Sequence, residues 1–402
     1  MSDEGGNERA LGLQHLRPER GSSAPADREL SILLLGRGTV GGRLIAQLES
    51  THPTLRAGQG VVTRLVGVVD RHGAHFQSRG LRGGDLPPRS SAPPGPAPDL
   101  SPILQALSRL PRPVLVDCTA AEGMEALYRE AFRRGIDVVA ANKKPLAVPL
   151  VERNALFAAA RRHGCAWHYE TTVGASLPVV ETLKALVATG DAVERIEGSL
   201  SGTLGFLCHA VMAGTPLSTA VRLARERGYT EPHPRDDLSG LDVARKALIL
   251  AREAGLEVEL EEVAVEPFVP APLLEEDDPE RFQSGLANHD AEFGGRITRH
   301  AAAGRALRYL VQIVPGADRP VQVGPVAVEA DHPAVPLRGA EALVAFTSRR
   351  HRDYPLVVRG AGAGGEVTAA GVLADVLRLP RVALGRTLPA DPPSPAAPSV
   401  QM

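Results

Sequence analysis

The chain has 402 residues, of which 43% are hydrophobic and 23% charged, and this is enough for two domains with separate hydrophobic cores. A formal net charge of -2 argues against nucleic-acid or membrane-surface partners, which usually require a basic face. No run of the sequence approaches the roughly 18 apolar residues that span a bilayer. The three cysteines form no paired motif, as is usual for thiols in a reducing compartment. We therefore expect a cytoplasmic protein.

The first part of the chain alternates predicted strands with predicted helices. Residues 1–28 are polar and contain no apolar core segment, so we expect a disordered leader and no secretory signal. The next run, residues 30–35, is apolar throughout, as in a strand buried on both faces of a parallel sheet. The later elements predicted in this part are strands at 65–69, 114–118 and 136–140 and helices at 122–134 and 150–163. This order predicts a doubly wound parallel α/β sheet over residues 29–165.

The remaining segments have less regular patterns. Residues 71–101 contain many prolines and predict a long surface loop. Beyond residue 165 we predict a mixed α/β domain over residues 166–358, and residues 381–402 read as a disordered tail. The elements predicted in the mixed domain are a strand at 165–170, a helix at 177–189, a strand at 193–200, three helices ending near residue 253, and short strands from 257 to 358.

A glycine-rich turn follows the first predicted strand. Residues 36–41 read GRGTVG and stand directly before a predicted helix, which is the context of a Rossmann-type dinucleotide fingerprint. In such a turn Gly36 permits the tight bend and Gly38 lets the backbone approach a pyrophosphate. Gly41 allows the helix to pack closely on the strand. The helix N-terminus then faces the phosphates. The turn predicts a nucleotide site.

The end of the second predicted strand carries two opposite signals for the choice of dinucleotide. Asp70 closes this strand and is placed to bind a ribose hydroxyl, as in NAD enzymes. Arg71 follows it and would pair instead with the 2′-phosphate of NADP. The sequence leaves both cofactors open.

Further motifs lie at strand ends and in the second part of the chain. Residues 117–121 (DCTAA) and 141–145 (ANKKP) end successive predicted strands, where open α/β sheets bind ligands. The others are 169–178 (YETTVGASLP), 228–232 (GYTEP) and 236–246 (DDLSGLDVARK).

Lysine is rare in this chain. Only four of its 45 basic residues are lysines, at positions 143, 144, 184 and 246, and the other 41 are arginines. Because arginine stays protonated whereas lysine can release a proton, a lysine here marks a position that arginine does not serve. Asp242 and Lys246 are four residues apart on one helix face, which is either a surface ion pair or part of a site. Lys143 and Lys144 leave the same alternatives open.

With these motifs the chain resembles the homoserine dehydrogenases over residues 30–380. The resemblance includes 360–375 (GAGAGGEVTAAGVLAD), where the family's chain returns to the nucleotide domain, so 359–380 is assigned to that domain. It implies a mixed catalytic and dimerisation domain, a homodimer, and NAD(P)-dependent interconversion of L-homoserine and L-aspartate 4-semialdehyde, in threonine, methionine and isoleucine biosynthesis.

The resemblance also implies roles for individual residues. The residues that would contact the dinucleotide are Gly38, Thr39, Val40, Thr119, Lys143 and Gly362. The residues that would bind or protonate the amino-acid substrate are Glu231, Asp242 and Lys246, with Lys143 beside the aldehyde oxygen. The residues that would hold a monovalent cation, Na⁺ or K⁺, are Glu170 and, through their backbone carbonyls, Val173, Ala175 and Leu177.

Two other functions are weighed against this one. A catalytically silent dinucleotide-binding sensor or scaffold would keep the glycine turn, but it has no need for Glu231, Asp242 and Lys246 together. Aspartate semialdehyde dehydrogenase chemistry needs a cysteine nucleophile, and no cysteine here stands in such a motif. The combined motifs favour the homoserine dehydrogenase reaction.

Overall fold

The computed structural model of the chain describes residues 28–87 and 98–382. Of the predicted leader only Arg28 is described, and it begins the first strand. Of the predicted tail only residues 381 and 382 are described, and they end the last helix. Among the described residues, no helix has the length and apolar character that crossing a membrane requires.

A six-stranded sheet forms the amino-terminal domain. Its strand order is β3-β2-β1-β4-β5-β6, and all neighbours are parallel except the edge strand β3, which is antiparallel to β2. The strands are β1 (Arg28–Leu35), β2 (Val61–Asp70), β3 (Gly73–Phe76), β4 (Pro113–Asp117), β5 (Asp137–Ala140) and β6 (Trp167–His168). The predicted α/β doubly wound sheet is confirmed.

Helices cover both faces of this sheet, because its central strands are apolar on both sides. On β1, Ile32 and Leu34 face one core, while Leu33 and Leu35 face another. The helices that follow these strands are α1 (Thr39–Gln59), α2 (Ser101–Leu107), α3 (Glu125–Arg133) and α4 (Leu150–Arg162). Helix α1 lies on the Ile32 face, and α2, α3 and α4 lie on the Leu33 face.

The second domain has its own six-stranded sheet, with strand order β12-β11-β7-β9-β10-β8. All pairs are antiparallel except β10 with β8. Its strands are β7 (Val193–Ser199), β8 (Ala264–Val265), β9 (Ala306–Ile313), β10 (Val321–Val328), β11 (Glu341–Ser348) and β12 (Leu356–Ala361). The predicted mixed α/β character of this domain is therefore confirmed.

Helices of the second domain pack on one face of its sheet, and the core they form is continuous with the Leu33 face of the first domain. They are α5 (Val180–Ala188), α6 (Gly202–Met212), α7 (Leu217–Glu226), α8 (Pro234–Leu238), α9 (Leu241–Glu253), α10 (Ala271–Leu274), α11 (Pro279–Leu286) and α12 (Asp290–Ala302). The chain then returns through α13 (Gly365–Val382), whose Val372 and Val376 share the Ile32 core with α1.

Several predicted boundaries were wrong. Strand β2 begins at Val61, four residues before its prediction, and the predicted loop 71–101 contains β3; residues 88–97 of that loop lie outside the described part of the chain. The strand predicted at 165–170 is only β6, because a helical turn takes over at Glu170–Thr172. Four helices, not three, lead to Glu253, because Gly240 in the left-handed region separates α8 from α9.

Candidate active site

The glycine-rich turn between β1 and α1 has the shape that a pyrophosphate requires. Gly36 has φ +86°, and a Cβ there would lie 2.9 Å from the Cys118 carbonyl oxygen. A Cβ on Gly41 would lie 1.9 Å from the Gly36 carbonyl oxygen, so this glycine is needed for the turn itself. A Cβ on Gly38 would meet no atom within 4 Å, and the first turn of α1 contains no acidic residue. The open space at this helix N-terminus fits the phosphates of a dinucleotide.

The returning helix α13 begins beside this turn. A Cβ on Gly365 would lie 2.5 Å from Cγ2 of Thr39, so only glycine permits the approach. Gly362, the predicted late cofactor contact, lies against the second sheet: a Cβ there would lie 2.1 Å from the Cβ of Ala342. Val40 is partly buried against the Ile32 core. Gly365 lies within the 360–375 segment, but no role was predicted for it.

Asp70 and Arg71 have different surroundings at the end of β2. The Asp70 carboxylate accepts from Nε of Arg37 at 3.2 Å and from the His72 backbone N–H at 2.8 Å. Arg37 also donates to the Pro87 carbonyl oxygen at 2.6 Å. Arg71 is exposed, and its Nε lies 3.1 Å from Nε2 of His72. The predicted ribose ligand is therefore already paired with a cation, which sequence reasoning did not foresee.

A buried polar network organises the ends of β4 and β5. The Asp117 carboxylate accepts from the Thr119 N–H at 2.8 Å, the Tyr128 hydroxyl at 2.7 Å and the Asn142 amide at 3.1 Å. Asn142 also accepts from the Lys144 N–H at 3.1 Å. Burial raises the pKa of Asp117. These bonds fix the loop of Thr119 relative to the segment of Lys143, and both segments follow the ends of neighbouring strands, as the sequence predicted.

The thiol of Cys118 lies at the same strand ends but is unsuited to nucleophilic attack. Burial, with the Asp117 carboxylate adding to it, raises the pKa of Cys118 well above its usual value. A thiol in this state is not the thiolate that attacks carbonyl groups. This agrees with the exclusion of aspartate semialdehyde dehydrogenase chemistry.

The two predicted catalytic lysines meet on one carboxylate. Nζ of Lys143 lies 3.0 Å from Oδ1 of Asp242, and Nζ of Lys246 lies 2.9 Å from Oδ2. Nζ of Lys246 also donates to the Leu200 carbonyl oxygen at 2.8 Å. Burial acts to raise the pKa of Asp242, but the ammonium groups of Lys246 and Lys143 outweigh it and hold this pKa well below its ordinary value.

Helix α9 presents Asp242 and Lys246 because of its start and its buried face. Gly240 precedes the helix with φ +76°, and a Cβ there would lie 2.0 Å from the Tyr309 hydroxyl oxygen. The α9 residues Val243, Ala244 and Ala247 are buried in the core. Asp242 and Lys246 therefore share the remaining face, one turn apart, above the end of β5.

Glu231 lies in the loop before α8 and is exposed. Its backbone N–H donates to Oδ2 of Asp237 at 2.8 Å, and Oδ1 of Asp237 accepts from the Thr203 hydroxyl at 3.0 Å. Burial raises the pKa of Asp237. Asp237 thus orders the loop that carries Glu231, a role that its place in DDLSGLD did not reveal.

Glu170, the predicted cation ligand, caps a helix. Its Oε1 accepts from the Val180 N–H at 2.7 Å and its Oε2 from the Glu181 N–H at 2.9 Å, both at the start of α5. Burial raises the pKa of Glu170. Between these points the chain makes a tight turn in which Gly174 has φ +83° and Ala175 has φ +56°. Val173 and Ala175 are buried in this turn.

A surface cavity of about 840 Å³ lies elsewhere, between α1, β2 and the segment 79–85. None of the residues discussed above lines it. The strand-end cluster of Lys143, Asp242 and Lys246 lies outside this cavity.

Comparisons with known proteins agree with this geometry. Residues 36–170 match the family model described as the homoserine dehydrogenase NAD-binding domain, and residues 178–377 match that of homoserine dehydrogenase. A Candida auris protein of unknown function has a similar solved structure, with a TM-score of 0.78 and 34% identity over 88% of this chain and 98% of that one.

Two curated relatives show the extent of the match. A bifunctional aspartokinase/homoserine dehydrogenase of Haemophilus influenzae is 40% identical over 87% of this chain and 42% of its own length, so the chain spans about two fifths of that protein. The homoserine dehydrogenase of Schizosaccharomyces pombe is 33% identical over 87% of this chain and 95% of its own length. Both relatives bear enzyme names, and neither is described as a sensor or scaffold. The chain belongs to the homoserine dehydrogenase family.

Proposed function

We propose that the protein interconverts L-homoserine and L-aspartate 4-semialdehyde with NAD(P) as cofactor. The observation that carries this is the meeting of Lys143, Asp242 and Lys246 across the two domains, at the edge of the sheet where the glycine turn also lies. The dinucleotide supplies the hydride for reduction of the aldehyde and accepts it in the reverse direction. The protein must then stabilise charge on the aldehyde oxygen and move one proton.

Lys246 is the proton donor in this proposal. Its ammonium group has three N–H donors, and two of them point to Asp242 and the Leu200 carbonyl oxygen. The third is left for the aldehyde oxygen. Lys143, held by the other carboxylate oxygen of Asp242, adds a second positive charge. The two ammonium groups then stabilise the aldehyde oxygen of the substrate as it becomes negative.

The substrate amino group is bound by carboxylates. Asp242 can accept further hydrogen bonds besides those from the two lysines, because a carboxylate has about four acceptor positions. Glu231 is exposed, and within the described residues its carboxylate has no hydrogen bond or ion pair. Asp237 fixes the loop that carries Glu231. The Glu231 carboxylate is therefore available to bind a ligand ammonium group.

The preferred cofactor in this proposal is NADP. Asp70 is neutralised by Arg37, so it offers less repulsion to a 2′-phosphate than a free carboxylate would. Arg71 is exposed beside it, with only a neighbouring imidazole as a side-chain contact in the described structure. An Arg71→Ala variant should lose about tenfold in kcat/KM with NADP and little with NAD. Equal losses with both cofactors would contradict this preference.

A monovalent cation is proposed at the turn after Glu170. The donors are the Glu170 carboxylate and the carbonyl oxygens of Val173, Ala175 and Leu177, a set that suits hard cations. The left-handed backbone of the non-glycine residue Ala175 supports a built site. Activity should fall when Na⁺ and K⁺ are replaced by bulky organic cations at matched ionic strength. An unchanged rate would leave Glu170 as a helix cap only.

The protein is also proposed to be a homodimer. Strand β12 is an edge strand, and such edges readily pair with another copy. Val357 on this strand is 44% exposed, and Tyr354 just before it is 87% exposed. Light scattering of the purified protein tests this, and a monomeric mass would contradict it. The domain boundaries stay predictions: the dinucleotide-binding domain is assigned to residues 29–165 with 359–380, and the second domain to 166–358. The cytoplasmic location stays a prediction as well.

The decisive experiment is a turnover assay with homoserine and either NADP⁺ or NAD⁺, followed by the absorbance of the reduced cofactor. We expect product only when homoserine is present. A folded protein that binds the dinucleotide but never reduces it would favour the catalytically silent sensor or scaffold.

A further inference from the structure

Helix α9 carries another charged side chain that reaches the first domain, Arg252, nearly two turns beyond Lys246. The side chain of Arg252 is 0% exposed. Its guanidinium donates through Nη1 to the carbonyl oxygens of Leu146, at 2.9 Å, and Val148, at 2.8 Å. These two residues lie in the segment that follows Lys143. One buried side chain therefore joins the two segments that bear the lysines.

Two further N–H groups of this guanidinium also have acceptors. Nε donates to the Val258 carbonyl oxygen at 3.0 Å, and Nη2 to Oε2 of Glu259 at 2.7 Å. The Glu259 carboxylate accepts in turn from the N–H of Leu150, the first residue of α4, at 2.9 Å. We call Arg252, Glu259 and the carbonyl groups of Leu146 and Val148 the Arg252 clamp. It fixes α9 to both the Lys143 segment and α4.

The distances along the chain make this arrangement a positioning device. Lys143 is three residues before Leu146, and Lys246 is six residues before Arg252, about 9 Å along the helix. Two cross-links therefore join the same two segments: the Lys143–Asp242 pair at the reacting end and the Arg252 clamp behind it. The first lies where the substrate amino group would bind the remaining acceptor positions of Asp242. The second involves no ligand and holds the two segments together whether or not substrate is bound.

Resting on the proposed function, we propose that Arg252 is a positioning residue that sets the separation of the Lys143 and Lys246 ammonium groups. Arginine is required because its planar fork reaches acceptors in several directions at once. A lysine at this position has one nitrogen and cannot bind the Leu146 carbonyl, the Val258 carbonyl and Glu259 together.

The test compares Arg252→Lys with Arg308→Lys. Arg308 is a matched control because it is also a buried guanidinium that donates to backbone carbonyls, those of Leu307, Ala334 and Val335, but it lies in the second sheet. Both variants should lose thermal stability. Only Arg252→Lys should lose kcat, by roughly 10- to 100-fold, since a misplacement of about 1 Å costs on the order of 10² in rate.

Three further readouts separate positioning from a purely structural role. Cofactor affinity, measured by fluorescence titration, should stay within about twofold of wild type. The KM for homoserine should change less than kcat. The deuterium isotope effect on kcat, measured with homoserine deuterated at the hydroxymethyl carbon, should increase because the chemical step becomes limiting. If Arg252→Lys does not fold, Glu259→Gln replaces it, with a smaller expected loss of a few-fold in kcat.

The outcomes are distinct. If wild type turns over and Arg252→Lys keeps its kcat and isotope effect, or Arg308→Lys loses as much kcat, the positioning role is overturned. A wild-type kcat in Glu259→Gln, where that variant is needed, overturns it as well. If wild type itself does not oxidise homoserine, the proposed function fails first and this inference falls with it.

Discussion

Asp242 and Glu170 are both carboxylates that tie segments of the two domains together, and their surroundings are opposite. Asp242 is 47% exposed and lies within 3.0 Å of two ammonium groups, which hold its pKa well below the ordinary value although burial opposes this. Glu170 is 5% exposed and accepts two backbone N–H bonds, and the nearest cation, Arg378, lies 3.6 Å away; burial raises its pKa. Full charges at hydrogen-bond distance outweigh desolvation, and peptide dipoles here do not.

The difference implies different roles. A carboxylate between two lysines is half exposed and reachable, so it can bind a substrate ammonium group in addition to the lysines. A buried carboxylate that accepts two amides of one helix is primarily a structural cap, with a cation as a further partner. The following predictions test this division.

The largest effect is expected at Lys246. The variant Lys246→Arg keeps the charge beside Asp242 but cannot readily release a proton. We expect kcat to fall by roughly 10²- to 10⁴-fold with cofactor affinity unchanged. Steady-state kinetics measures this, with circular dichroism to establish folding. The matched control is Lys184→Arg, since Lys184 pairs with Glu181 at 3.3 Å outside the lysine cluster. Near wild-type turnover in Lys246→Arg would remove it from the mechanism.

A second effect is expected when Lys143 is removed. Lys143→Ala leaves Asp242 with one ammonium partner, so the pKa of Asp242 should rise toward its ordinary value. The carboxylate of Asp242 then becomes protonated at a higher pH. The decrease of kcat/KM at low pH should therefore begin at a higher pH than in wild type. We also expect kcat/KM at neutral pH to fall on the order of 10²-fold. Lys144→Ala is the control, because Lys144 pairs with the exposed Glu122. A decrease that begins at the same pH as in wild type would show that Lys143 does not govern Asp242.

The smallest effect is expected at Glu170 and concerns stability. Glu170→Gln places an amide NH₂ against one of the two N–H donors of α5, and this donor loses its partner. The free energy of unfolding should fall by about 1–3 kcal/mol. Thermal unfolding measures it, with the partly exposed Glu181→Gln as the control. Equal melting temperatures in the two variants would contradict the structural role of Glu170.

The sequence predicted those parts of the fold whose signals are local patterns of neighbouring residues. The apolar run 30–35 and the turn 36–41 predicted β1 and the nucleotide site because both signals are local. Strand β3 was missed because it is four residues long, begins at a glycine and lies at an edge. The meeting of Lys143 with Lys246 followed from family resemblance and the rarity of lysine, not from periodicity.

Other residues of the site had no signal that a single sequence can carry. Arg252 is one of 41 arginines, and the burial of its side chain becomes visible only in the structure. Glu170 caps a helix that begins ten residues later, which no local capping pattern predicts. Arg37 stands at a variable position of the glycine turn, and its partner Asp70 lies 33 residues away. Such contacts depend on tertiary packing.

Helix α13 has a consequence for how the protein is made. Its Val372 and Val376 share a core with Ile32 and Leu34 of the first strand, and Gly365 touches Thr39. While the ribosome is synthesising the second domain, the first therefore lacks a helix that covers one of its faces. The dinucleotide domain can be completed only after the final described helix emerges, so the Ile32 face of its sheet stays incompletely covered until then.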